Sequence, residues 1–271
     1  MSAVPVFLYH SVADDPPSWI APFTVSPRAF AEQLDRIADS GLTVVPLHRL
    51  VAALHGGPRL PPHAAVLTFD DGFEDFFWTV APQLADRGLP ATLFVTTGAV
   101  HPPGGAPEGS LLPPAPMLTW RQIANLDVLG GVEIGGHSRT HAQLDTLSWG
   151  ALDAEIGYCK RQLEEVLGHG VDSFAYPHGY SSAVVRRRLR EYGWSSGCAV
   201  RDAFSSAADD PLRIARLTVR ADTAPEVFHR WTLGQGARVA PYPESVRTRA
   251  WRGYRRLRAG LGRPVGGPAG A

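Results

Sequence analysis

Short apolar runs alternate with amphipathic segments along most of the chain. The runs are rich in β-branched and aromatic residues and predict strands at Val6–Tyr9, 43–45, 65–70, 91–96, 132–136, 173–176, 195–200 and 214–219. Between them, apolar positions recur with the helical period. They predict one helix that begins at residue 27 and further helices at about 74–87, 119–129, 149–167, 182–192 and 224–234. Such alternation is typical of parallel strands with crossover helices, so the pattern predicts an α/β layer system or barrel.

Turn and capping residues mark the borders of these elements. Ser26 and Pro27 supply an N-cap and an N1 proline for the first helix, and Gly41 follows its end. The segment 101–116 contains six prolines and three glycines, which excludes a regular element. We expect this loop to lie at the rim of a functional site.

Composition excludes the disordered and fibrous classes. The chain has 271 residues, and 44% of them are hydrophobic. Its 26 basic and 26 acidic side chains cancel, but residues 236–271 carry eight arginines and one acid, Glu244. That gives a local charge of +7 and leaves −7 for residues 1–235. The sequence therefore predicts a body over 1–235 and an Arg-rich tail over 236–271, helical first and disordered at Gly266–Ala271.

Cysteines and apolar run lengths indicate the compartment. Cys159 and Cys198 have neither the number nor the spacing of a disulfide framework or a thiolate zinc site, so both are expected to be buried thiols. The first residues lack the basic and apolar regions of a secretory signal, and polar residues or prolines interrupt every apolar stretch. These features favour a cytoplasmic location.

Two adjacent carboxylates follow an apolar strand. Asp70 and Asp71 come directly after the run 65–69, and Gly72 then releases the chain. Because the chain turns at the carboxyl end of a strand, both side chains can converge on the mouth where α/β proteins place their sites. The alternative role is an N-cap for the helix predicted at 74–87.

Two histidines follow another strand. His137 and His141 are four residues apart, so their imidazoles can lie on one face of a turn and reach one metal ion. The alternative is a pair of exposed histidines in a polar turn. Together with the acidic doublet, however, they offer one carboxylate and two imidazoles to a divalent ion, with positions left for water and a second acid free as a base.

The motifs resemble those of the polysaccharide deacetylase family, the NodB-homology or carbohydrate esterase 4 group. The similar segments are TFDDG at 68–72, HSRTH at 137–141 and FAYPHGY at 174–180, with LYHSV at 8–12 and FTVS at 23–26 resembling one branch of the family. The resemblance covers roughly residues 4–220. It implies an irregular (β/α)7-type barrel as a single catalytic domain.

The resemblance also implies roles for individual residues. Asp70 corresponds to the catalytic base, and the metal ligands correspond to Asp71, His137 and His141. The third motif implies an oxyanion contact from the backbone N–H of His178 and a groove lined by Tyr176, Pro177 and Tyr180. The implied cofactor is one divalent metal ion, zinc first, with cobalt, nickel, manganese or iron as alternatives.

The sequence departs from the family at the partner of the base. Many members carry an Arg two positions before the proline of the third motif, where it tethers the base, and this chain has Ala175 there. Arg216 or Arg213, in the strand predicted at 214–219, could take over that role. The alternative for both is ion pairing at the surface.

A second departure concerns the general acid. Many members have a late L-x-H motif whose histidine protonates the departing amine, but residues 200–235 contain only His229, inside a predicted helix. The remaining candidates are His10, after the first strand, and His178. The alternative for either is a histidine at the rim of the site without a role in catalysis.

Aromatic residues offer further contacts. Trp78, Tyr180 and the loop 101–116 could stack on a sugar ring. In the tail, Trp251, Tyr254 and the leucines 257 and 261 occur at helical spacing among arginines. That segment could form a packed or solvated helix or lie on an anionic membrane, and a nucleic-acid partner is not expected.

The site residues predict a metal-dependent hydrolase, and the resemblance implies that it removes an N-acetyl group from an N-acetylated sugar or glycosylated metabolite. Metal-activated water would be the nucleophile, with an Asp as general base. Two alternatives remain open. One is hydrolysis of a non-sugar amide at the same site, and the other is a glycan-binding module with a relict site.

Overall fold

The structure, a computed structural model, describes residues 3–102, 107, 109–243 and 246–261. The disorder expected for Gly266–Ala271 lies outside these residues.

The structure describes twelve strands: β1 Val6–Tyr9, β2 Ser11–Val12, β3 Thr24–Val25, β4 Thr43–Val44, β5 Ala64–Phe69, β6 Ala91–Val95, β7 Val132–Gly136, β8 Ser173–Ala175, β9 Ser196–Cys198, β10 Ala203–Phe204, β11 Leu217–Thr218 and β12 Arg238–Val239. β2 pairs with β3 and β10 with β12 in two separate sheets, and the other eight form one curled parallel sheet. Seven of them lie in the order β11-β1-β5-β6-β7-β8-β9, and β4 pairs with β5. A parallel bridge between Cys198 and Ile214 joins β9 to the segment that leads into β11, so the sheet curls into the predicted barrel-like ring.

Helices cover the outside of the ring. The Ser26 side chain caps the first helix by accepting a hydrogen bond from the Ala29 N–H. The segment predicted as one helix over 74–87 is instead a π-helical turn, Phe76–Val80, that runs into a short α-helix. The α-helices are α1 Pro27–Asp39, α2 Leu47–Leu54, α3 Ala81–Asp86, α4 Trp120–Leu129, α5 Trp149–Leu167, α6 Ala183–Glu191, α7 Pro225–Thr232 and α8 Val246–Gly260.

Because side chains alternate between the two faces of each strand, the core consists of two layers. In β5, every residue is buried, because both faces of a parallel strand are covered. Leu67 belongs to the cluster between the sheet and the helices, whereas Val66 packs with Phe94, Ala175 and Ile214 in a second cluster. The members of that second cluster come from neighbouring strands and from α2, so it fills the interior of the ring.

The Arg-rich tail is partly integrated into the body. β12 pairs with β10, and Ala240 is buried, so the folded body extends beyond residue 235. α8 follows and contacts the turn Leu144–Thr146. Both cysteines are buried free thiols, as expected. Among the described residues, no helix has the length and apolarity needed to span a bilayer.

Candidate functional site

Polar side chains meet at the carboxyl ends of four parallel strands. His10 follows β1, the acidic doublet follows β5, His137 follows β7 and His178 lies in the turn after β8. They line one cavity, which we call the site cavity. Its lining consists of His10, Trp19, Asp70, Asp71, Leu112, His137, His141, His178 and Val200. This is the end of the ring at which barrel enzymes place their chemistry.

Asp71, His137 and His141 converge on a common point. The Asp71 Oδ1 atom is 3.4 Å from the Nε2 of His137 and 3.3 Å from the Nε2 of His141. All three residues are buried, and their candidate ligand atoms lie within 4.8 Å of one another. Although buried, that Oδ1 makes no hydrogen bond to any described residue. A buried oxygen left in this state beside two imidazole nitrogens suits a divalent cation with a preference for nitrogen and oxygen ligands.

Hydrogen bonds outside the cluster orient its members. The Nδ1 of His137 is 2.9 Å from the carbonyl oxygen of Ala175, which directs its Nε2 towards Asp71. The buried Glu155 carboxylate on α5 accepts hydrogen bonds from the N–H of Arg139 and the N–H and hydroxyl of Thr140, at 3.0, 2.8 and 2.7 Å. Glu155 therefore fixes the loop that carries both histidines, a role that no local pattern in the sequence indicates.

Backbone strain is concentrated at this site. Six described non-glycine residues have a positive φ, and three of them are Asp71 at 75°, His141 at 68° and His178 at 57°. A left-handed conformation in a residue other than glycine costs about 1 kcal/mol or more and persists only where the surrounding structure enforces it. Its occurrence at three residues of one cavity indicates that their placement has a function.

Arg216 holds the carboxylate of Asp70. Its Nη1 and Nη2 donate to Oδ1 and Oδ2 of Asp70, each at 2.7 Å, and its side chain is fully buried. Further hydrogen bonds to the Thr68 hydroxyl and the Ala199 carbonyl oxygen, both at 3.3 Å, fix the guanidinium. Arg216 thus supplies the partner that Ala175 cannot, and the alternative of surface ion pairing is wrong for Arg216.

The charges around Asp70 keep it ionised. Burial alone would raise the pKa of Asp70, but the Arg216 guanidinium, with a smaller contribution from His137, lowers this pKa below its ordinary value. The Oδ2 atom of Asp70 is 3.9 Å from the Nε2 of His137, so it faces the cluster formed by Asp71, His137 and His141.

Both candidates for the general acid lie in the site cavity. His10 is buried, and its Nδ1 makes no hydrogen bond to a described residue. Burial lowers the pKa of His10, and the nearby carboxylates of Asp71 and Asp70 oppose that effect. The ring of His178 packs edge-on against His141, with 4.6 Å between ring centroids.

The rest of the third motif lies outside the cavity. Tyr176 is fully buried, and its hydroxyl donates to the Leu212 carbonyl oxygen at 2.9 Å, so its side chain stabilises the core and does not line a groove. Pro177 is buried as well. One face of the Tyr180 ring is covered by the guanidinium of Arg255, 3.6 Å from the ring centroid. Of the four residues expected to contact substrate, only His178 lines the cavity.

The aromatic residue at the cavity is Trp19, which the sequence analysis did not identify. Its Nε1 donates to the carbonyl oxygen of Pro114 at 3.2 Å, which connects it to the proline-rich loop. Leu112 of that loop also lines the cavity, so the described part of 101–116 lies at the rim, as expected. Trp78 instead lines an apolar groove between α3 and α4, away from the site cavity.

Asp75 connects two of the segments that carry the site. Its Oδ2 accepts hydrogen bonds from the Ser11 hydroxyl at 2.5 Å and the Val12 N–H at 3.1 Å, and these residues directly follow His10. Burial raises the pKa of Asp75 to about 6, although the two hydrogen bonds act in the opposite direction. The carboxyl group therefore gains a proton in the folded protein at a pH where the unfolded chain has released it.

This raised pKa predicts a pH-dependent effect of Asp75→Asn. Between about pH 4 and 6 the folded state of the wild type binds the additional proton, so its free energy of unfolding falls as pH rises through this range. Asn accepts the same hydrogen bonds without titrating, so the variant should gain stability relative to the wild type, by at most about 3 kcal/mol at pH 7. Urea unfolding at a series of pH values measures the difference, with the exposed Asp39→Asn as control. A difference independent of pH would contradict the prediction.

Comparison with known proteins agrees with this architecture. A family model described as polysaccharide deacetylase matches residues 57–196, just over half of the chain, so the chain belongs to the polysaccharide deacetylase family. Over 215 residues it is 27% identical to the poly-β-1,6-N-acetyl-D-glucosamine N-deacetylase of Escherichia coli K12. That alignment covers 68% of this chain and 32% of the E. coli protein, so the chain spans about a third of that relative's length.

Solved structures share the fold. The deacetylase PplD of Streptococcus pyogenes in complex with acetate superposes with a TM-score of 0.72 at 24% identity, over 83% of this chain and 95% of that one. A de-N-acetylase from Aggregatibacter actinomycetemcomitans gives a TM-score of 0.71 at 20% identity, over 82% and 97% of the two chains. The predicted barrel-like fold is thereby confirmed.

Proposed function

We propose that the protein is a metal-dependent hydrolase that removes the N-acetyl group from an N-acetylated sugar unit of a glycan or glycoconjugate. The observation that carries the proposal is the buried cluster of Asp71, His137 and His141 beside an ionised carboxylate, Asp70. Membership of the polysaccharide deacetylase family supports the reaction class. The E. coli relative named for a poly-N-acetylglucosamine substrate supports the choice of sugar.

The residues divide the chemistry between them. Asp71, His137 and His141 would hold one divalent cation, and zinc suits their nitrogen and oxygen donors. When bound, the cation lowers the pKa of a water molecule and polarises the acetamide carbonyl. The carboxylate of Asp70 takes the proton of the attacking water, and Oδ2 is the atom in position because it faces the cluster.

The negative charge that develops on the acetamide carbonyl oxygen needs a hydrogen-bond donor. We assign this role to the backbone N–H of His178 on the pattern of the family. The placement of its ring against His141 keeps this turn next to the cluster. The amine that leaves needs a proton, for which His10 is the first candidate, because its ring lies in the cavity and makes no structural hydrogen bond through Nδ1 to a described residue.

If His10 is the general acid, its removal should discriminate between leaving groups. An amine must be protonated to depart, whereas the alcohol of an activated acetate ester leaves without a proton. His10→Ala is therefore expected to lower turnover of an acetamide by about 10²-fold or more and to leave turnover of 4-nitrophenyl acetate nearly unchanged. His178→Ala should affect both substrates alike, since its backbone N–H survives. The reverse pattern would assign the acid to His178, and equal losses for His10→Ala would make its role structural.

Acetate release tests the proposed function. The chelated protein would be incubated with β-1,6- and β-1,4-linked N-acetylglucosamine oligomers and with an aryl acetamide, and zinc, cobalt or manganese added in turn. We expect metal-dependent release from an oligomer, loss of both bound metal and activity in His141→Ala, and no change in the exposed control His169→Ala. Release from the aryl acetamide alone would favour a non-sugar amidase. Absence of metal binding would favour a relict module and contradict the proposal.

A further inference from the structure

The helix α8 is strongly basic and lies outside the site cavity. Its orientation is fixed by Arg255, which is almost fully buried. The Nη2 of Arg255 donates to both carboxylate oxygens of Asp145 at 2.6 and 2.7 Å, and its Nη1 donates to the Oε1 of Gln143 at 2.5 Å. Its guanidinium also stacks on the ring of Tyr180. A planar group held on three sides prevents the helix from rotating about its axis.

The opposite side of α8 presents its apolar residues to solvent. At 3.6 residues per turn, four of them fall within an arc of about 80° that faces away from Arg255, whereas the fifth, Trp251, lies about 60° outside this arc and about 40° from Arg255. The rings of Trp251 and Tyr254 stack at 5.7 Å. These five residues, which we call the outer stripe, are between 42% and 74% exposed: Val246, Trp251, Tyr254, Leu257 and Leu261. A helix that only covers the body would turn this stripe inward.

Positive charge flanks the outer stripe. Residues 246–260 include six arginines and no acidic residue. Arg247 and Arg258 lie between Tyr254 and Trp251 in the helical projection. Arg256 lies on the side that faces the body, where its Nε is 3.7 Å from Oδ2 of Asp145. Aromatic and aliphatic residues between arginines match an anionic lipid surface, where rings enter the interface and guanidinium groups meet phosphates. A nucleic acid would match the arginines but would leave the exposed leucines without a partner.

We propose that α8 docks the protein on anionic lipid bilayers, with the outer stripe inserted at the boundary between headgroups and acyl chains. The body, whose residues 1–235 carry a formal charge of −7, is repelled overall by such a surface, whereas the basic helix α8 is attracted to it. Docking also brings the site cavity near the bilayer, because Arg255 stacks on Tyr180, whose ring lies 5.9 Å from that of His178.

Vesicle binding tests the proposal independently of the reaction. Co-sedimentation would use the full chain with vesicles of phosphatidylcholine alone and of phosphatidylcholine with phosphatidylglycerol. We expect binding to the anionic vesicles only, weakened by salt. Tyr254→Ser/Leu257→Ser and Arg247→Gln/Arg258→Gln should each weaken it by about tenfold or more. The matched control is Val128→Ser/Leu129→Ser on α4, which removes exposed apolar residues elsewhere and should bind as the wild type does.

Three results would overturn the docking proposal. They are absence of binding to anionic vesicles, equal binding to neutral vesicles, and unchanged binding by the outer-stripe variant. A DNA duplex in the same assay identifies a nucleic-acid surface if it binds the wild type and the outer-stripe variant alike. A thermal unfolding midpoint close to that of the control variant shows that each variant folds. Acetate release from soluble oligomers should be unchanged in the outer-stripe variant, so failure of docking and failure of the proposed function give different results.

Discussion

Replacing Asp70 with Asn is expected to lower turnover by about 10²–10⁴-fold while the protein retains the proposed metal ion. The substitution preserves the size of the side chain and removes the carboxylate that is proposed to accept the proton of the attacking water. The three residues expected to hold the metal are untouched by it. Steady-state acetate release gives the loss in turnover, and metal analysis of the purified variant gives the occupancy.

Asp75→Asn is the matched control for Asp70→Asn. It makes the same chemical change in the same loop, but Asp75 bonds to Ser11 and does not line the site cavity. Its turnover should therefore stay close to that of the wild type. An Asp70→Asn protein with near-normal turnover would assign the base to another residue. A variant that lost its metal would instead make Asp70 part of the metal site.

Replacing Arg216 with Met is expected to destabilise the fold by about 3–5 kcal/mol at neutral pH. Methionine replaces the apolar part of the side chain, but the carboxylate of Asp70 stays buried without its two charged hydrogen bonds. Removing one partner of a buried ion pair therefore destabilises the fold more than removing both partners. Urea unfolding of the two proteins measures the difference in the free energy of unfolding.

A double-mutant cycle separates charge from packing at this pair. In an Asp70→Asn background no carboxylate is stranded, so Arg216→Met should there cost much less, and the coupling energy should be large. Arg213→Met, in the same segment but not bonded to Asp70, is the control in both backgrounds. An equal loss from Arg216→Met in both backgrounds would show that Arg216 acts through packing alone.

The strands and helices with a long periodic pattern were predictable from the sequence. β5, β6, β7 and α5 lie within a residue of the predicted bounds, and each packs apolar side chains into the core. The two-residue strands β2, β3, β10 and β12 were missed, since such short segments carry no periodicity. α2 was missed as well, because it follows Pro46 without a side-chain cap at its N-terminus.

The site was predictable where its residues follow strands in recognisable motifs, and not where they come from distant segments. Arg216 lies 146 residues from Asp70, so no local pattern connects them. The alternation of side chains along a strand does distinguish Arg216 from Arg213. Arg216 is two residues from Ile214 and points to the same side, into the ring, whereas Arg213 points to the opposite side. The expectation for Tyr176 was wrong because its position in the motif does not determine which way its ring points.

The tail likewise makes a contact that its own sequence does not predict. Helical spacing of its aromatic residues predicted a helix, and one is present at Val246–Gly260. Nothing in the sequence of the tail indicates which of its arginines is buried. That choice depends on Asp145, 110 residues earlier, whose carboxylate lies where the helix passes.

The guanidinium of Arg216 lies in the interior of the ring, so residues on several strands could reach the position that it occupies. Side chains from several strands point to the same central axis, so a group beneath Asp70 can be supplied from more than one direction. Ala175 on β8 also points into this interior, and it stands where many family members carry the Arg that tethers the base. The tether of Asp70 is consequently a property of a place on the axis and not of one strand, and residues of different strands can supply it.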